Sequence, residues 1–181
     1  MHENGPLNGF RVNPRSINDI RRIASFIRKV FFPHGEHVVD TETLLEKLPD
    51  YGMRVEILED NELPRGVEAC CIPETLTIYL KESTYSFVRN GNPRARFTVI
   101  HEIGHMILGH TRTLNREQPG QLKDYENSEW QANQYAAELL MPLDIIKERQ
   151  LLSAPVLSKF FGVSPQAAET RIRKLKRRNE I

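Results

Sequence analysis

The chain has 181 residues and a formal net charge of +1, with 25 Lys and Arg residues against 24 Asp and Glu residues. This length predicts a single domain that can bury a core, with room for a small appendage. The near balance of charge excludes a strong overall attraction to nucleic acid or to an anionic membrane. No apolar run reaches about 18 residues and no signal-like start is visible, so we expect a soluble, cytoplasmic protein.

Two helices are predicted in the N-terminal quarter of the chain. The first begins at Asn13-Pro14, where Asn is a good cap and Pro suits the first turn, and it ends before Pro33. Asp40 caps a second, short helix that ends at Leu48, before a proline. The first helix has an apolar stripe made of Ile17, Ile20, Ile23, Ala24, Ile27 and Val30, and we interpret Arg21, Arg22, Arg28 and Lys29 as its solvent-exposed side.

Residues 53–80 have the alternating apolar pattern of β-strands and predict a small sheet of about three strands, most simply antiparallel. One strand is centred on Val55, and two more, at 66–72 and 76–80, flank a hairpin connection at Pro73-Glu74-Thr75. A strand edge beside a functional helix can bind an extended peptide through main-chain hydrogen bonds. The sheet could equally serve only to complete the core.

The two cysteines, Cys70 and Cys71, are adjacent and cannot form an unstrained disulfide with each other. This arrangement fits a reducing compartment. Because neighbouring residues of a strand point to opposite faces, at most one of the two could face a metal ion, and we favour neither as a ligand.

One helix carries a metal-binding motif. Asn92-Pro93 is a helix start, and apolar residues at helical spacing predict a largely buried helix over about residues 93–110. This helix contains the sequence HEIGH, an HExxH motif, beginning at His101. His101 and His105 lie one turn apart on one face, where two imidazoles can bind one metal ion, usually zinc. Glu102 lies beside that face, where it can hold and deprotonate the attacking water without being a ligand.

Residues 111–127 are polar and lack periodicity, so they are predicted to form a long loop, either near the site or as a surface insertion. Ser128 begins a capping-box pattern that starts the next helix, predicted from Glu129 to Met141. Gly104, on the preceding helix, would let another segment approach closely because it has no side chain.

The C-terminal part of the chain is predicted to be helical. A helix at 143–152 completes the main domain, residues 1–152. Residues 153–181 are predicted to form an appendage with the outline of a helix-turn-helix, in which helices at 156–161 and 165–176 are joined by a short turn.

Two histidines leave a catalytic zinc site one protein ligand short. Glu129, on the next predicted helix, would complete the site and leave a position open for water. His110 is the rival, but it lies about 140° around the helix from His105 and should not reach the same ion. Asn133 should share a face with Glu129, where it could accept the free N–H of an imidazole or could simply lie on the helix surface.

Two stretches of the chain carry a family pattern. The first is RFTVIHEIGHMILGH, and the second, on the following predicted helix, is EWQANQYAAELLMP. Together they resemble the ImmA/IrrE-type metallopeptidases, which pair an HExxH helix with the pattern E-x-x-A-N-x-F/Y-A-A-x-L-L-M-P. The resemblance implies an α+β, mainly helical, zincin-like core. It also implies His101, His105 and Glu129 as metal ligands and Glu102 as general base. We expect one divalent ion per chain, zinc or alternatively manganese.

Members of that family are gluzincin-like peptidases that cleave, or switch off, helix-turn-helix repressors in phage, mobile-element and stress-response circuits. The resemblance therefore implies a metalloendopeptidase. Its expected partner is a separate repressor, because the chain has no room for the fused DNA-binding domain that some members carry. A residue that stabilises the oxyanion is also expected. Tyr135 and His110 are the candidates, although Tyr135 could equally belong to the core.

Two other functions stay open from the sequence. A peptidase-like domain could act by contact alone, as an antirepressor or a toxin-like protein. Alternatively, the C-terminal helices could bind DNA, since six of the eight residues 171–178 are basic. Basic residues are also favoured at helix C-termini, however, and the near-neutral net charge argues against DNA binding.

Overall fold

The computed structural model describes residues 9–111 and 122–181, so most of the loop predicted at 111–127 lies outside the described residues. The described chain contains eight α-helices and three β-strands, which confirms the mainly helical α+β class. In chain order the elements are α1 (Ile17–Phe31), α2 (Thr41–Lys47), β1 (Arg54–Leu58), β2 (Ala69–Ile72), β3 (Thr77–Lys81), α3 (Glu82–Arg89), α4 (Pro93–Ile107), α5 (Ser128–Leu140), α6 (Leu143–Glu148), α7 (Ala154–Phe161) and α8 (Pro165–Arg177).

α1, α5 and α7 begin at residues other than those predicted, and α7 begins at Ala154 rather than at residue 156. α1 begins after Ser16 and not at Asn13-Pro14, because Ser16 and Asp19 form a reciprocal capping box. The Ser16 hydroxyl accepts the Asp19 N–H, and the Asp19 carboxylate accepts the Ser16 N–H, each at 3.1 Å. The cap of α5 is Asn127, which is extended and accepts a backbone N–H of the first turn at 3.0 Å. Ser128 is already helical, so its prediction as the cap is wrong.

The three strands form one mixed sheet in the order β1–β3–β2. β2 and β3 form the predicted antiparallel hairpin, which is connected through the 3-10 turn Pro73–Thr75. β1 instead pairs in parallel with β3, with Arg54 opposite Thr77, so the prediction of an antiparallel sheet is wrong for this strand. Alternation of apolar residues indicates which face of a strand is buried, but it carries no information on the direction of the neighbouring strand.

α4 is the central helix of the fold. It packs against α5 and lies beside β2 and α3, while α1 packs on α5. Val99, Ile100 and Ile103 of α4 are at most 1% exposed. The HExxH turn is therefore enclosed between a second helix and the edge of the sheet. Neither α4 nor any other helix in the two described ranges combines the length and the hydrophobicity needed to cross a membrane.

Two of the four basic residues of α1 do not lie on a solvent-exposed side, contrary to the prediction. Arg28 is 8% exposed, and its guanidinium donates to the backbone carbonyl of Leu139 at 2.7 Å. Arg21 is partly buried and forms an ion pair with Glu138 at 3.2 Å. Arg28 is buried because the last carbonyls of α5 lack partners within that helix, so a guanidinium from a neighbouring helix can donate to them. Arg21 is partly buried because it pairs with the carboxylate of Glu138. The other two basic residues are exposed, as predicted.

A buried ion pair joins the C-terminal helices to the rest of the protein. Arg171 on α8 and Glu138 on α5 are each 2% exposed. The guanidinium of Arg171 donates to both carboxylate oxygens, at 2.6 and 3.0 Å, and to the carbonyl of Met141 at 3.1 Å. Although burial alone would raise the pKa of Glu138, the guanidiniums of Arg171 and Arg21 hold that pKa below its usual value. The pair therefore connects α8, α5 and α1.

Replacing Arg171 with Met should strongly destabilise the protein, because the buried Glu138 would keep only one of its two guanidinium partners and the Met141 carbonyl would lose its donor. We expect the free energy of unfolding to fall by about 3–5 kcal/mol, measured by urea denaturation. Arg173→Met is the matched control, since Arg173 is exposed on the same helix. Its effect should stay within about 0.5 kcal/mol. Equal losses in the two variants would contradict the role of the ion pair.

Candidate metal centre

Two helices supply the candidate ligands. Asn92-Pro93 begins α4 as predicted, and the Asn92 side chain accepts the N–H groups of the two residues that follow Pro93 at 3.0 Å each. Helical spacing then puts His101 and His105 on one face of α4. Glu129 lies in the first turn of α5, where the helix dipole favours a carboxylate.

The side chains of His101, His105 and Glu129 converge on one point. His101 Nε2 lies 3.0 Å from His105 Nε2 and 3.1 Å from Glu129 Oε2, and His105 Nε2 lies 3.1 Å from Glu129 Oε1. In a tetrahedral zinc site with bonds of about 2.0–2.1 Å, ligand atoms are about 3.3 Å apart. The three side chains thus form, within the described part of the chain, a group that could hold a metal ion through two nitrogens and a carboxylate oxygen.

A close contact between α4 and α5 sets these distances. Gly104 faces Ala132 and Tyr135, and a Cβ on Gly104 would lie 2.8 Å from Tyr135 Cδ1 and 3.4 Å from Ala132 Cα. A side chain at this position would push the helices apart and would separate Glu129 from the imidazoles. Gly in a helix costs about 1 kcal/mol relative to Ala, and here it permits the close approach that the sequence predicted.

The two acidic residues of the site have different electrostatic environments. The adjacent imidazoles of His101 and His105 hold the pKa of Glu129 well below its usual value, so Glu129 is ionised, as a metal ligand must be. Burial raises the pKa of Glu102, and the nearby histidines only partly offset this effect. A carboxyl group with a raised pKa is suited to general acid–base catalysis.

Cys71 on β2 lies beside Glu102, a proximity that the sequence pattern did not predict. The interaction between the two side chains raises the pKa of the Cys71 thiol and lowers the pKa of the Glu102 carboxyl group. Burial raises the pKa of the Cys71 thiol, so Cys71 is a protonated donor and not a thiolate ligand. The alternation of strand faces indicated that one cysteine could face the site, but it could not indicate which one.

His110 lies behind His105 and not on the surface of the cleft. It is 3% exposed, its Nδ1 is 2.9 Å from His105 Nδ1, and its Nε2 is 3.0 Å from Gln131 Oε1. Burial lowers the pKa of His110 to about 4. Gln131 was not singled out from the sequence. The sequence did offer one indication of its role, since Gln131 lies on the same face of α5 as Ala132 and Tyr135. A polar residue on a buried face needs a hydrogen-bond partner.

The remaining two candidates from the sequence do not contact the ligand atoms. Asn133 donates its side-chain amide to the backbone carbonyl of Glu129 at 2.8 Å, so its hydrogen bond goes to the helix and not to an imidazole. Tyr135 is 0% exposed against Gly104, and its hydroxyl has no hydrogen-bond partner among the described residues. This burial puts Tyr135 in the core, which was the alternative to a role in stabilising the oxyanion.

Residues 88–173 match a peptidase family model described as the IrrE N-terminal-like domain. This segment is similar to the IrrE N-terminal-like family. The matched segment runs from the end of α3 into α8, covers just under half of the chain, and includes all three candidate ligands and Glu102. The match confirms the resemblance found in the two helix motifs and supports a metallopeptidase-type function. A comparison with curated proteins found no similar sequence.

The purified protein should contain close to one divalent ion per chain, because three ligand atoms already lie at coordinating separations. Elemental analysis after mild purification should find little metal in the His101→Ala, His105→Ala double variant. A double variant of two exposed histidines, His34→Ala and His37→Ala, is the matched control and should keep its metal. Equal metal content in the two double variants would contradict the site.

Proposed function

We propose that the protein is a metal-dependent endopeptidase with a zincin-like core that cleaves a peptide bond in a specific protein partner. The observation that carries this proposal is the convergence of two imidazole nitrogens and a carboxylate, 3.0–3.1 Å apart, beside Glu102. His101, His105 and Glu129 are the proposed ligands. Zinc is the proposed ion and manganese the alternative, since mixed nitrogen and oxygen ligands do not fix the choice.

Glu102 is the proposed general base. A divalent ion bound at the three ligands supplies Lewis-acid activation of water and of the scissile carbonyl. Glu102 takes the proton of the attacking water and passes it to the leaving amine, so it must be able to exist in both protonation states. Its environment supports this role, because burial favours the neutral form while the histidines and the Cys71 thiol favour the anion.

The variant Glu102→Gln should keep the metal and lose hydrolysis, because an amide preserves the shape of the side chain but cannot accept a proton as a carboxylate does. The loss in cleavage rate should be at least about 10²–10⁴-fold. Glu129→Gln should instead weaken metal binding, since a neutral amide replaces an anionic ligand. Metal content and cleavage rate are measured on both proteins. Loss of the metal in Glu102→Gln but not in Glu129→Gln would reverse the assigned roles.

β2 is the proposed docking edge for the substrate. It lies at the edge of the described sheet, and its residue Cys71 contacts Glu102. An extended segment that added to this edge through main-chain hydrogen bonds would run alongside the HExxH motif. Because such pairing requires an extended chain, the proposed enzyme cuts a folded partner only in an exposed linker or interface segment. This requirement restricts its access to other folded proteins.

The proposed substrate is a separate helix-turn-helix repressor, and the support for it is the family resemblance. A cut between the DNA-binding and dimerising parts would leave monomeric DNA-binding fragments. A repressor that must bind two half-sites would then lose most of its affinity for its operator. The proposed outcome is derepression of phage, mobile-element or stress-response genes.

We further propose that residues 153–181 are a packing appendage of the peptidase domain (residues 1–152), and not a DNA-binding unit. The first two turns of α8 correspond to the part of a recognition helix that contacts bases. They expose Gln166 and the acidic Glu169, while their basic residue, Arg171, is buried in an ion pair. This distribution of charge opposes phosphate contacts at that end of the helix.

The substrate proposal predicts one discrete cut in a repressor encoded next to the gene for this protein. The two purified proteins are mixed with zinc, and the fragments are identified by mass spectrometry. The Glu102→Gln variant should yield no fragment, and casein should be cut slowly or not at all, because most of its segments would not fit a docking edge selective for the repressor.

Two results would contradict this proposal in different ways. Inactivation of the repressor without cleavage, unchanged in Glu102→Gln, would favour an antirepressor that acts by contact alone. Rapid, unselective cleavage of casein would preserve the peptidase activity but would contradict restricted access.

A further inference from the structure

A chain of buried hydrogen bonds leads from the back of His105 into the core. His105 Nδ1 lies 2.9 Å from His110 Nδ1, and His110 Nε2 lies 3.0 Å from Gln131 Oε1. The side-chain nitrogen of Gln131 donates to the backbone carbonyls of Asn13, at 2.9 Å, and Tyr125, at 2.8 Å. Gln131 is 0% exposed and His110 is 3% exposed, so water has little access to this chain.

When both imidazoles are neutral, the hydrogen atoms of this hydrogen-bond chain can be assigned in only one consistent way. The two carbonyls can only accept, so the amide nitrogen of Gln131 must face them, and its oxygen must face His110. That oxygen also only accepts, so His110 Nε2 carries a hydrogen. A neutral imidazole has a single N–H, which leaves His110 Nδ1 as an acceptor. The hydrogen between the two rings must then come from His105 Nδ1.

We propose that Gln131 and His110 are positioning residues that hold His105 as its Nδ1–H tautomer and so direct a free Nε2 lone pair toward the metal site. This inference rests on the proposed metal-binding function. His105 Nε2 is the atom that lies 3.1 Å from Glu129 Oε1 and 3.0 Å from His101 Nε2. An imidazole without such partners is a mixture of tautomers, and the Nε2–H form cannot bind a metal through that nitrogen.

The end of the hydrogen-bond chain that lies farthest from His105 is held by backbone carbonyls and not by mobile side chains. The segment before α1 is bound to the segment before α5 by the hydrogen bonds Val12 N–H to Glu126 O, at 2.8 Å, and Arg15 N–H to Tyr125 O, at 3.0 Å. The two carbonyls that accept from Gln131 belong to these paired segments. The orientation of the His105 ring is thereby linked to the docking of the N-terminal segment on the start of α5.

The matched variants Gln131→Met and Gln134→Met test this proposal. Both glutamines are buried on α5, and Gln134 bonds to Glu138, away from the histidines. Zinc affinity, measured by competition with a chelator, should fall about 10–100-fold in Gln131→Met and stay unchanged in Gln134→Met. Two-bond ¹H–¹⁵N spectra of the metal-free proteins, recorded at mildly alkaline pH, report the tautomers. Wild-type His105 should carry its hydrogen on Nδ1, and Gln131→Met should show a mixture.

A second pair of variants covers the case in which Gln131→Met does not fold. His110→Asn keeps an acceptor oxygen near the position of Nδ1, whereas His110→Leu removes it. Zinc affinity should therefore be higher in His110→Asn than in His110→Leu.

Three results would overturn the positioning role while the metal site stands. These are a wild-type His105 protonated on Nε2, equal zinc affinities in Gln131→Met and Gln134→Met, and equal affinities in the two His110 variants. Failure of the wild-type protein to bind zinc would instead contradict the proposed function. The tautomers of the metal-free protein would still decide the hydrogen-bond assignment, because that measurement needs no metal.

Discussion

The contact between α4 and α5 at Gly104 is the constraint on which the site depends. Gly104 is the neighbour of His105 in the chain, and Ala132, which it faces, is one turn after Glu129. The separation of the two helix axes at this point therefore determines how far the carboxylate lies from the imidazoles. A Cβ on Gly104 would lie 2.8 Å from the ring of Tyr135, far inside ordinary contact distance. Tyr135 thus acts on the site as a spacer in the core, because its volume and the missing Cβ together fix the helix separation.

Buried guanidinium groups keep these helices in place. Arg28, Arg96 and Arg171 are 8%, 6% and 2% exposed, and each donates to backbone carbonyls of another element. The acceptors include Leu139 for Arg28, Val39 and Gly162 for Arg96, and Met141 for Arg171. Leu139 and Met141 lie at the end of α5, where carbonyls lack helical partners. α5 is therefore held at its C-terminal end by α1 and α8, while its first turn presents Glu129. On this view, the C-terminal helices affect the site through packing.

Sequence patterns predicted the features that depend on neighbours along the chain. The hairpin at Pro73–Thr75, the helix that starts at Asn92-Pro93 and the shared face of its two histidines all follow from turn chemistry and helical spacing. The patterns failed where a distant partner decides. The direction of β1 depends on its pairing with β3, and the burial of Arg28 depends on a carbonyl of α5. Gln131 was missed for the same reason, since its partners come from three separate segments of the chain.

The exposure of the site residues gives the centre a closed side and an open side. The side chain of His105 is 9% exposed and rests on His110, whereas those of His101 and Glu129 are 15% and 32% exposed. Among the described residues, the open side is the one from which water and the proposed peptide substrate would reach the three candidate ligand atoms, and Glu102 lies there beside Cys71 of the edge strand. Water cannot replace the hydrogen bonds of the closed side without opening the core, so the ring of His105 is the most constrained of the three candidate ligands. The proposed hydrolysis needs the opposite property on the open side, because it would move a proton between water, Glu102 and a departing amine. The buried contacts thus fix the ring of His105, while the partly exposed His101 and Glu129 leave the centre accessible.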